Sequence, residues 1–75
     1  MESGDIRLLI GRNVRRLRTA AGLTQESLAA KTGLSSVYIS GIERGGRNPS
    51  AVVMAELAQA LGVDVRELLD PGSAQ

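Results

Sequence analysis

Apolar residues along the chain recur in steps of three and four, the spacing of one face of an α-helix, and no stretch sustains the two-residue alternation of a half-buried strand. Over about residues 5–21, Ile6, Ile10, Val14, Leu17 and Ala21 form one stripe. A second helix is predicted over about residues 25–31, turning Leu28 and Ala29 inward. A third, over about residues 36–44, turns Ile39 and Ile42 inward and sets Leu34 to pack on Ile39 as a hydrophobic staple. The fourth, about residues 51–61, buries Val53, Met54, Leu57 and Leu61. A short fifth, about residues 65–69, stops before Pro71 and leaves 72–75 as a frayed tail.

The punctuation agrees with these limits. Gly22, Gly33, Gly45 and Gly62 each follow a helical stretch, where a left-handed cap is needed. Thr24, Ser35, Ser50 and Asp64 stand where a side chain accepts from the free amides of a following first turn, and Asp64 with Glu67 makes a capping-box-like pair. The reading is an all-α, compact bundle of five helices, one domain over residues 1–75 with an ordered core of about 5–70.

From Gln25 to Arg44 two short helices are joined through Gly33. So brief a joint forces a sharp crossing. The first helix needs a small residue at the contact, the turn a residue tolerant of positive φ, and the second helix apolar residues at set points. Ala29, Gly33, Leu34, Ile39 and Ile42 supply these in order, which makes helices two and three a helix-turn-helix.

Composition narrows the function. The 75 residues contain neither cysteine nor histidine, so no disulfide, thiolate metal site or nucleophile–histidine pair is available, and neither an enzyme nor a cofactor is expected. The longest apolar run, Ala51 to Ala55, is far short of the roughly 20 residues of a membrane span, and the N-terminus lacks the pattern of a signal peptide. A cytoplasmic, unprocessed protein is expected, with no membrane partner. Net charge is only +1, but residues 1–50 carry eight basic side chains against four acids, and residues 51–75 one against four. This polarity suits one face offered to a polyanion, though such asymmetry also arises by chance.

The stretch LTQESLAAKTGLSSVYISGIERGGRNPS, followed by LAQALGV and ELL, closely resembles the lambda repressor and Cro family of helix-turn-helix regulators, also called the xenobiotic-response-element family. The resemblance runs from about Val14 to Leu69. It implies a bacterial or phage transcriptional regulator at the nucleoid, a five-helix lambda-repressor-like fold and helix three as the reading helix. Among stand-alone members, phage repressors, antitoxins and restriction-modification controller proteins, the controllers are nearest in size. A wheel centred on Ile39 and Ile42 turns Val37, Ser40, Gly41 and Arg44 outward, with Ser36 at the N-terminal edge. These are the candidate base readers, since such a helix enters the major groove N-terminus first. Relatives often carry a longer polar side chain at the position of Gly41. Either specificity leans on DNA shape and Arg44, or Gly41 admits the duplex more closely.

Phosphate candidates are Ser35, Tyr38, Arg47 and Asn48, together with Gln25, whose family counterpart grips the backbone. Tyr38 is equally placed to close the side of the core, and Arg47 and Asn48 to be a plain solvated turn. Arg18 and Glu43 each lie about 70° from the centre of a buried stripe. The resemblance makes them an ion pair, with a phosphate contact added for Arg18. Arg12 and Arg16 point away from the core and read as solubilising. Helix five carries Val65, Leu68 and Leu69, more apolar surface than so short an element buries in its own chain; they either close the core or hold a second copy. Double-stranded DNA bound by a homodimer on a pseudo-palindromic operator is therefore expected, with RNA polymerase a further candidate partner. With no second module read in the chain, regulation is expected to follow its concentration and cooperative operator filling. The alternative is a protein-interaction module, an antitoxin or a polymerase- or sigma-binding domain, on the same fold.

Overall fold

The computed structural model describes the backbone of residues 3–72 and the side chains of residues 6–72. The expectation for residues 73–75 lies outside the described residues. Four α-helices follow in order: α1 Ser3–Ala20, α2 Gln25–Thr32, α3 Ser36–Glu43 and α4 Ala51–Leu61. They are followed by a 3-10 helix, η1, Val65–Leu69. The described residues contain no strand.

The fifth element is thus a correction to the predicted α-helix. Its backbone bonds close over three residues, Glu67 to Asp64 and Asp70 to Glu67, as expected of a five-residue piece fixed between a cap and Pro71. The capping box is also not the one predicted. Asp64 accepts from the Arg66 amide at 2.9 Å and pairs with the Arg66 side chain at 3.1 Å, in place of Glu67. The other three caps form as read: Thr24 accepts from Ser27, Ser35 from Tyr38 and Ser50 from Val53. Gly33, at φ 78°, ends α2 in the left-handed region and lets the chain reverse into α3 within three residues.

The core gathers one or more residues from every element: Ile10 and Val14, Leu28, Ile39 and Ile42, Met54, Leu57, Ala58 and Leu61, and Leu68. Fully burying a side chain of this kind contributes about 1.5–3 kcal/mol. Ile6, Leu17, Ala29, Leu34, Tyr38 and Val53 are half-buried against it. Ala21, read as the last rung of the α1 stripe, lies beyond the helix end and is exposed. α1 packs on α3 and η1, and α4 on α2 and η1, so α3 is supported from behind and keeps one face free. No helix of the described residues is long and apolar enough to cross a membrane.

Two features of α1 were not read from the sequence. Gly11 is buried against the end of α3, where an added Cβ would stand 2.2 Å from the Ile42 carbonyl oxygen and 2.8 Å from that of Glu43. Asn13, 3% exposed, is buried among apolar neighbours and donates its amide to the carbonyls of Leu68 at 3.0 Å and Asp70 at 2.8 Å.

Candidate nucleic-acid interface

The free face of α3 is set by its cap. Ser35 holds the first turn by accepting from the Tyr38 amide at 3.0 Å, and its hydroxyl proton is left to donate. Val37 is then thrust outward, 71% exposed beside half-buried Ser36, while Ile39 and Ile42 anchor the opposite side. One turn on, the Ser40 hydroxyl accepts from Arg44 Nη1 at 2.5 Å, so these two candidate readers are bonded to each other.

Gly41, read as part of the outward surface, is buried. The Arg47 side chain lies across it, its Cγ 2.8 Å from where a Cβ would stand. The loop after α3 causes this: Gly45 turns it at φ 78°, and the Gly46 amide donates to the Gly41 carbonyl at 2.9 Å, folding the chain back along the helix. Arg47 ends with its guanidinium carbon 5.6 Å from the Tyr38 ring centroid, within cation–π range. The ring is half-buried against the core, as the reading that has it close the core's side expects, and it also carries the Arg47 cation. Asn48 is exposed beside Arg47, and Pro49 after it is buried, fixing the loop's return.

The edge of this face is held by one network. Arg18 Nε donates to Glu43 Oε2 at 2.6 Å and Arg18 Nη2 to Oε1 at 3.1 Å, a bidentate pair whose side chains are 11% and 4% exposed. Arg18 Nη1 also donates to the Leu23 carbonyl at 2.8 Å. Gln25, at the first turn of α2, donates to Glu43 Oε1 at 3.1 Å. The network therefore ties α1, α2 and α3 together and seats Gln25. Its second amide N–H remains for another acceptor. The hydrogen bond with Glu43 and its charge, opposed by burial, hold the Arg18 proton more tightly than in a free guanidinium. Arg18 is in consequence a structural cation with little surface left for phosphate.

At the far end of the molecule Leu68 is fully buried, a correction to its place in an expected contact surface; the Asn13 amide draws its backbone onto α1. Val65 and Leu69 are 40% and 45% exposed. The Arg66 side chain and amide, which both hydrogen bond Asp64, keep that carboxyl below its usual range. A depressed pKa means that the cap stabilises above the ordinary carboxylate range and is lost as pH falls through the lowered value. Acid titration followed by NMR should show the Arg66 amide shifting together with the Asp64 carboxyl. An Arg66 amide that ignores that protonation would refute the cap.

A capped, outward-facing helix set across a tight turn, with cations at its rim, defines a helix-turn-helix DNA-binding module. The chain belongs to the helix-turn-helix family, whose model matches residues 14–68, and the resemblance read from SGIERG and RNPS is borne out. It is 52% identical over 67 residues to an uncharacterised HTH-type transcriptional regulator, y4dJ, of Sinorhizobium fredii, covering 89% of this chain and 87% of that one. It is similar to the restriction-modification controller protein C.AhdI from Aeromonas hydrophila, with TM-score 0.80 and 48% identity over 83% of this chain and 94% of that one. SinR, a master regulator for biofilm formation solved in complex with DNA, matches with TM-score 0.77 and 35% identity, over 81% and 98% of the two chains. The protein is a DNA-binding transcriptional regulator.

Proposed function

We propose that the protein acts as a homodimer on a pseudo-palindromic operator, each copy laying α3 in the major groove, in the manner of a controller of its own or neighbouring genes. The observation that carries this is Val37, 71% exposed at the leading end of a helix whose other face is locked in the core. An exposed valine suits a thymine methyl, and the serine hydroxyls of Ser36 and Ser40 suit either donor or acceptor edges. Gln25, Ser35, Tyr38, Arg47 and Asn48 hold phosphates around it, and Arg44 reaches from the last turn. Val65 and Leu69 seat the second copy, which places half-sites one helical turn apart, roughly 34–36 Å.

Selection of bound sites from random DNA at stated salt tests the proposal. An inverted repeat is expected. Replacing Val37 by Ser should relax the preference at one base pair per half-site, worth about 1–3 kcal/mol, and Arg47→Ala should weaken all sequences alike. Binding that is weak, unselective and indifferent to Ser36 and Val37 would overturn it in favour of a protein-interaction module.

A further inference from the structure

Asn13 does more than fill a place on the buried stripe of α1. Its two amide protons go to the carbonyls of Leu68 and Asp70, the two that flank Leu69, at 3.0 and 2.8 Å. Its side-chain oxygen accepts from Arg16 Nη2 at 3.2 Å, which fixes which way the amide faces. Both donors and the acceptor are thus engaged. η1 is a single 3-10 stretch of five residues whose one fully buried side chain is Leu68. So short an element has little stability of its own, and its position is set by what holds it.

We infer that Asn13 is a positioning residue for self-association: by clamping the backbone on both sides of Leu69, it sets the exposed Leu69 side chain, and with it Val65 at the start of η1, in the register a second copy meets. Arg16 serves it as the orienting partner, a role beyond solubility. The inference rests on the homodimer proposed above. It also links the DNA-binding half to the dimer seat, because α1 carries both Asn13 and the Arg18 that braces α3.

The test measures the monomer–dimer equilibrium of the full chain by sedimentation without DNA, beside hydrogen exchange and affinity for one and two half-sites. Asn13→Ala should raise the dimer dissociation constant about tenfold or more, the usual consequence of stranding buried partners. The Asp70 amide should exchange faster, with affinity for a single half-site retained and the gain from a second half-site lost. A merely structural residue would lower both affinities together. Because Asn13→Ala also puts folding at risk, Arg16→Met provides a second variant: Arg16 is exposed, and its loss removes the orienting bond. It should weaken the dimer severalfold, in line with one such bond. A parent dimer whose constant is unmoved by Arg16→Met, or by a folded Asn13→Ala, overturns the role of Asn13 and leaves the homodimer standing. A parent that is monomeric at every concentration, alone and on DNA, overturns the homodimer and the inference with it.

Discussion

Gly11→Ala is expected to destabilise the protein by about 3 kcal/mol and to lower its Tm by roughly 15 °C. In an open helix the same change would stabilise, since alanine is favoured over glycine by about 1 kcal/mol. The sign is decided by the neighbour. The new Cβ would meet the Ile42 carbonyl oxygen at 2.2 Å and the Glu43 carbonyl oxygen at 2.8 Å, and both belong to backbone, which has no rotamer to change. α1 and α3 must separate, opening the packing of Val14 and Ile42 and stretching the Arg18–Glu43 pair. Thermal unfolding followed by circular dichroism checks this, and a Tm at or above the parent's would show that the helices are not in such close contact.

The second large effect concerns Arg18 and Glu43. Arg18→Met leaves a carboxylate, 4% exposed, with only the Gln25 amide for company, and should cost about 3–5 kcal/mol. Glu43→Leu should cost less, about 2–3 kcal/mol, because the stranded guanidinium keeps the Leu23 carbonyl and some access to water. The double variant should recover much of the loss, since two apolar side chains of similar volume replace two charges. Urea unfolding of all four proteins yields the coupling energy. Single losses both below about 1 kcal/mol, with no recovery in the double, would mean the pair behaves as a solvated surface bridge.

Much of this structure is legible in the chain because the relevant signals are local. The limits of α4, the caps at Thr24, Ser35 and Ser50, and the turn at Gly33 each follow from a few adjacent residues and the 3.6-residue period. The Arg18–Glu43 pair was also legible, from its marginal place on two wheels and from the family resemblance. What escaped depends on contacts between residues far apart in the chain. Asn13 is bonded to residues 55 and 57 positions away, and only its polarity among Ile10, Val14 and Leu17 hinted at a buried partner. Gly11 hinted likewise, as a residue that weakens a helix interior without a visible reason. Gly41 was misplaced because a wheel shows which way a residue faces and not what the following loop lays over it. Leu68 was misassigned because η1 was read as an α-helix and its tether to α1 was unseen.

The cover over Gly41 bears on any effort to change what the protein reads. A glutamine or asparagine installed at position 41 to reach a base edge would occupy the space of the Arg47 methylenes, and the displaced guanidinium would leave the tyrosine ring. Positions 41 and 47 are one packing unit: any side chain introduced at 41 meets the one at 47, so the two must be varied together.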